Sequence, residues 1–187
     1  MKFSQLELEK VACLMDAANF AALQHQYLRR SGYNLLPYIN HLLKVTQVLI
    51  EVEGENDLYT LQASLLHDVL EDTSITAEEL SQKFSPEVAT IVEELTDNME
   101  LPYVERKRLQ IEGAKHLSGP AQKIRIADKG SNILDMLYYP VQWTRKRKVI
   151  YVEFAGEVLN ELRGRHPKLE KWLDGVLKQA KSELEIL

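Results

Sequence analysis

The chain has 187 residues, 45% hydrophobic and 27% charged, with 23 Lys and Arg against 28 Asp and Glu for a formal net charge of −5. The apolar content excludes a disordered chain, 8 Gly and 6 Pro exclude a collagen-like or low-complexity one, and a single cysteine, Cys13, excludes a disulfide scaffold and fits a reducing compartment. Residues 1–9 lack the basic start and apolar core of a secretory leader, and apolar runs such as Val48, Leu49 and Ile50 fall far short of the ~20 residues of a membrane span, so the expectation is a cytoplasmic protein without membrane association.

The pattern is helical almost throughout. Leu6, Val11, Leu14, Ala18, Ala21 and Ala22 recur at helical steps and extend the first helix towards Leu28, before Ser31 and Gly32 break it. A second helix spans 38–52, with Ile39, Leu42, Leu43, Val45, Val48 and Leu49 inward, until Gly54 stops it. Asp57 caps a third helix over 58–70. Thr76 and Glu79 form a capping box for a short helix to residue 84, and Ser85 with Pro86 starts the next, which turns Val88, Ile91, Val92 and Leu95 inward. A basic helix over 103–116 follows. Gly119 and Pro120 separate it from a helix over 121–137, which Pro140 closes, and helices over 144–163 and 167–184 complete the chain. No strand, repeat or long linker is visible. The expected fold is all-α: one domain over 1–187, of about nine or ten helices framing a central site.

The most informative stretch is Leu65, Leu66, His67, Asp68, Val69, Leu70, Glu71, Asp72, Thr73. Neighbours on a helix diverge by about 100° and residues four apart stack, so His67 is expected over Glu71 and Asp68 over Asp72. Three acids at a helix C-terminus oppose its dipole, a cost that a bound cation would offset. His41 and Asp128 lie on other apolar helices. Two imidazoles and two carboxylates from three helices, without thiolate, suit Mn²⁺, Fe²⁺, Co²⁺ or Zn²⁺ with open coordination positions.

These residues carry a resemblance. His41, the pair His67 and Asp68, and Asp128 resemble the H…HD…D signature of the HD-domain metal-dependent phosphohydrolases. Pro37, Tyr38, Ile39 and Asn40 precede His41, Thr96 and Asp97 follow the HDxxED stretch, and Glu105, Arg106, Lys107, Arg108, then Ala127, Lys129 and Asn132 come in order. That series is similar to the hydrolase domain of RelA/SpoT enzymes, above all the stand-alone small alarmone hydrolases related to the metazoan SpoT homologue, over roughly residues 17–155. No synthetase domain is expected. The resemblance implies one Mn²⁺ held by His41, His67, Asp68 and Asp128, and an attacking water positioned and deprotonated by Glu71 and Asp72. It implies hydrolysis of the 3′-pyrophosphate of (p)ppGpp to GDP or GTP and pyrophosphate. Asn132, Lys129, Arg30, Arg147 and Tyr151 would contact the phosphorylated nucleotide. Ser31 stands where the family usually has Lys, Leu28 where it has Gln, Leu42 where it has Pro, and Leu134 where it has Arg; Gly130 and Ser131 replace an apolar-aromatic pair. The changed base and distal phosphate contacts leave room for an adenine alarmone or NADPH as substrate, or for a non-catalytic nucleotide sensor.

Other features have plainer readings. Arg145, Lys146, Arg147 and Lys148 form a solvated helix face from which Arg147, close to Tyr151, reaches the substrate. Arg106, Lys107 and Arg108 are expected to pair with Glu105 and Glu112. The basic runs lack interleaved aromatics, so no nucleic-acid partner is expected; the oligomeric state is open. His25 has a structural hydrogen-bonding role, His116 and His166 are expected to be exposed, Cys13 is a small packing residue, and Trp143 and Trp172 pack.

Overall fold

The computed structural model describes residues 4–30, 36–139 and 141–185. Among them the chain forms ten α-helices: α1 Gln5–Gln24, α2 Ile39–Val48, α3 Leu58–Leu66, α4 Val69–Asp72, α5 Ala77–Lys83, α6 Pro86–Leu95, α7 Tyr103–Gly113, α8 Gly119–Tyr138, α9 Arg145–Glu161 and α10 Pro167–Glu183. A π-helical turn, Leu49–Glu53, extends α2 and a 3-10 turn, Ala114–His116, extends α7. The single Arg29–Pro37 bridge is the nearest approach to a strand among the described residues. The all-α expectation holds. No described helix is long and apolar enough to cross a membrane.

Local chemistry sets most helix starts. Ser4 and Glu7, and Thr76 and Glu79, each close a capping box; Asp57, Ser85, Ser118 and Thr144 accept a backbone N–H at the starts of α3, α6, α8 and α9. Gly119 and Pro120, expected as breakers, instead form the first turn of α8, where Pro lacks only an N–H that would have no helical partner. Gly54 adopts φ 79° and turns the chain out of the π-helical segment.

Helix α8 is the axis of the fold. It packs against α2, α3, α6, α9 and α10, and Ile124, Ile126 and Ile133 on it are wholly buried, each contributing roughly 1.5–3 kcal/mol. Asp128 and Asn132 therefore ride on a helix fixed from several sides. Helices α2 and α3 are joined by the buried hydroxyls of Thr46 and Ser64, 2.7 Å apart, which sets His41 against His67. The Gly130 and Ser131 departure has a packing cause. A Cβ on Gly130 would stand 2.3 Å from the Trp172 ring of α10, so α10 approaches this closely only because the residue is glycine.

Three expectations need correction. The first helix stops at Gln24, and of its recurring apolar residues Leu6 and Val11 are exposed while Ala21, with Ala17 beside it, is buried. Leu43 on α2 also faces outward. The helix expected over 58–70 is broken at His67 and Asp68, which link α3 to α4. The breaks expected at Ser31, Gly32 and Pro140 lie outside the described residues.

Candidate active site

The break between α3 and α4 makes the site. His67 Nδ1 bonds the Ser64 carbonyl at 2.8 Å, which as an acceptor requires the proton on Nδ1 and turns Nε2 towards the cavity. Asp68 has φ −100° and ψ −2°, and its carbonyl accepts the N–H of Asp72, so α4 starts anew after the turn at His67 and Asp68 and bears Glu71 and Asp72. The one continuous helix expected to stack these residues is thus interrupted by a turn at His67 and Asp68.

His41 Nε2 lies 3.2 Å from Asp128 Oδ1 and 3.8 Å from Asp68 Oδ2; His67 Nε2 lies 3.3 Å from Asp68 Oδ2 and 3.9 Å from Asp128 Oδ1. One ligand atom each of His41, His67 and Asp128 fall within 4.8 Å of one another, the spacing of donors around one divalent cation. Asp68 closes the fourth side, and the Tyr38 hydroxyl donates to its Oδ2 at 2.8 Å. Both Nε2 atoms are buried without a hydrogen-bond partner, so the donor set fits a cation.

The electrostatics agree. Burial holds His41 below the ordinary imidazole value and so neutral. At His67 burial acts in the same direction, but the Asp68 and Asp128 carboxylates overcome it and push the imidazole up to about 9. A proton there takes the place that a cation would fill. Asp128 is held well below the usual carboxylate range: burial opposes this, but Lys129 Nζ at 2.9 Å and the two imidazoles prevail.

These groups line a cavity of about 350 Å³. Glu71 is on its wall, and burial pushes its carboxyl up to about 7 while the Asp97 N–H holds Oε1 at 2.6 Å. Asp72 is adjacent but not part of the wall; its Oδ2 lies 3.9 Å from His25 Nε2. Arg30, Lys129, Asn132, Arg147 and Tyr151 all face the cavity. Asn132 donates to Asp128 Oδ1 at 2.5 Å and accepts from Arg30, whose guanidinium also pairs with Asp135 at 3.1 Å and lies over the Tyr38 ring. The structure thus gathers the residues singled out from the sequence, with Asp72 at the margin. Leu28 is exposed outside the cavity wall, and Ser31 lies outside the described residues.

Other cavity residues had not been singled out. Tyr38 and Asp135 could have been found: Tyr38 lies three residues before His41, and Asp135 continues the helical spacing of Asp128 and Asn132. Lys107 could not, because it belongs to a charged run. Arg108 makes the expected pairs with Glu105 and Glu112, whereas Lys107 turns inward over the Phe154 and Tyr103 rings. Burial, with Lys129 nearby, lowers Lys107 to about 8. Trp143 does more than pack, since it walls the cavity beside Arg147, whose guanidinium lies 4.2 Å above its ring. His166, expected to be exposed, is buried and bonded to Gln122 at 3.1 Å.

Comparison with known proteins matches this geometry. The family model described as HD domain covers residues 17–139. The guanosine-3′,5′-bis(diphosphate) 3′-pyrophosphohydrolase MESH1 of Xenopus tropicalis is 44% identical over 87% of this chain and 92% of its own length. The Homo sapiens protein of the same name is 41% identical over 91% and 96%. The solved structure of a metazoan ortholog of SpoT that hydrolyzes ppGpp superposes with TM-score 0.87 at 36% identity, over 96% of this chain and 98% of that one.

Proposed function

We propose, from the premise that this chain belongs to the HD-domain family and to its branch of MESH1 3′-pyrophosphohydrolases, that it hydrolyses the 3′-pyrophosphate of ppGpp and pppGpp. The observation that carries the reading is one cavity holding the His41, His67 and Asp128 cluster together with Glu71.

His41, His67, Asp68 and Asp128 would hold the metal, and Mn²⁺ suits their mixed imidazole and carboxylate donors. A bound divalent cation polarises a phosphoryl oxygen and makes water easier to deprotonate. Glu71 supplies the base: Oε1 is tied to the Asp97 N–H, which leaves Oε2 to accept the proton of the attacking water. Asp72 helps to orient that water. Lys129 offsets the charge of Asp128 and keeps its carboxylate ionised. Arg147, Lys107 and Arg30 are cations placed to meet an anionic substrate, and Asn132 and Tyr151 provide polar contacts between them. The products are GDP or GTP and pyrophosphate. A cytoplasmic setting goes with this reading.

One observation favours testing a wider substrate range. Arg30 is engaged by Asn132 and Asp135, and the cavity wall includes Tyr139, Val141 and Trp143, which offer stacking and few base-specific polar groups. The test is a panel assay of the Mn²⁺-loaded protein with ppGpp, pppGpp, the adenine alarmone and NADPH, reading pyrophosphate and phosphate release. The guanosine compounds are expected to have the highest kcat/KM. Preference for the adenine alarmone or NADPH would reassign the substrate, and binding without turnover would make the protein a nucleotide sensor.

A further inference from the structure

Asp97 is tied at both ends. Its N–H holds Glu71 Oε1 at 2.6 Å, a contact that almost any residue type could supply from its main chain. Its side chain is not on the cavity wall, yet it is only 8% exposed and sets a second carboxylate near Glu71, whose charge it repels. A side chain that opposes the base in this way needs another reason to be there.

That reason lies on α7. Gln110 Nε2 donates to both Asp97 carboxylate oxygens at 2.7 Å. Only the amide nitrogen can face a carboxylate, so Gln110 Oε1 turns away, and it is buried without a hydrogen-bond partner. An apolar side chain of similar size would fill the space without orphaning an acceptor, so packing does not explain Gln110. Arg106 Nη1 and Lys107 Nζ add their charges at 3.7 and 3.9 Å from Asp97 Oδ2. Helix α7 has no buried residue of its own and packs on α9, so the contacts to Asp97 are what join it to the base. From the other side, Arg125 of α8 donates to the Leu95 carbonyl at 3.0 Å and holds the end of α6.

We propose that Asp97 and Gln110 are positioning residues for Glu71. The Gln110 amide holds the Asp97 side chain, the side chain fixes the direction of its own N–H, and that N–H takes Oε1 and leaves Oε2 aimed at the attacking water. This rests on the hydrolase reading above and deepens it. No proton passes through the pair; its contribution is orientation, where a misplacement of about 1 Å can cost about 10²-fold in rate. The pair therefore acts on kcat and leaves substrate binding alone.

Asp97→Ala keeps the N–H and removes the side chain. At full metal loading, kcat for ppGpp is expected to fall roughly tenfold or more, with KM within about twofold of the parent protein. Asp97→Asn, whose Oδ1 still accepts from Gln110, is expected to stay within about threefold of the parent kcat. A parental kcat in Asp97→Ala, or no recovery in Asp97→Asn, would overturn the proposal. A loss carried by KM would overturn it as well, by assigning the contact to substrate binding through Lys107. Gln110→Met, of similar length with no N–H to give, decides the matter if Asp97→Ala does not fold. Amide hydrogen exchange at Asp97, read by NMR on the full chain loaded with diamagnetic Zn²⁺, is expected to quicken roughly tenfold or more in Gln110→Met. Unchanged exchange would overturn the proposal. Absence of pyrophosphate release by the folded, metal-loaded parent protein would count against the hydrolase reading, and the exchange measurement would still decide whether Gln110 fixes the Asp97 N–H.

Discussion

Glu71 Oε1 accepts the Asp97 N–H at 2.6 Å, so the carboxylate assigned as base is held by the backbone just beyond α6, a segment remote in sequence. The same contact sits in a pocket that costs the ionised form its hydration.

Burial raises Glu71 to about 7, and this has a sign in both stability and rate. A carboxyl raised on folding stabilises the fold fully below its unfolded value near 4.5 and loses that contribution as pH rises towards 7. In metal-free protein, Glu71→Gln should therefore be more stable than the parent above pH 7, by roughly 1–3 kcal/mol, with the difference vanishing near pH 4.5. Thermal melts across pH check this. The same variant should lose about 10²–10⁴ in kcat, and the acid limb of the parent's rate should lie at or below pH 7, because a bound cation only lowers the base.

A second prediction concerns the contact of α8 with α10. Gly130→Ala places a methyl 2.3 Å from the Trp172 ring and should cost about 1–3 kcal/mol. Trimming the ring, as Trp172→Leu, should make the double variant less costly than the sum of its parts. Denaturant melts of the four proteins measure the coupling, and strict additivity would refute the packing explanation.

A third prediction tests the cluster without turnover. Mn²⁺ at a hundred times its Kd should stabilise the parent protein by about 2.7 kcal/mol. His67→Ala and His41→Ala should abolish that response, and EDTA should reverse it in the parent. Equal Mn²⁺ stabilisation of parent and variants would remove these histidines from the metal site.

Much of this was legible in residue order because it depends on local chemistry. Ser, Thr and Asp caps marked the starts of α3, α5 and α6, and HDxxED beside His41 and Asp128 marked the centre. What stayed hidden depends on the tertiary fold. Periodicity through Leu65 to Leu70 looks continuous, yet His67 bonding back to Ser64 and the turn at Asp68 break the helix. Leu6 and Val11 keep helical spacing, but the rest of the fold does not reach them. Lys107 looks like its charged neighbours until α9 places Phe154 beneath it. The structural hydrogen-bonding role read for His25 holds, with Nδ1 bonded to the Ala21 carbonyl at 2.9 Å.

The central claim is metal-dependent removal of the 3′-pyrophosphate. Its most direct test is product analysis of ppGpp incubated with Mn²⁺-loaded and metal-stripped protein. The expected result is GDP and pyrophosphate in equal amounts from the loaded protein, none after stripping, and recovery on adding Mn²⁺. Unchanged ppGpp in the presence of fully metal-loaded, folded protein, or release of orthophosphate in place of pyrophosphate, would contradict it.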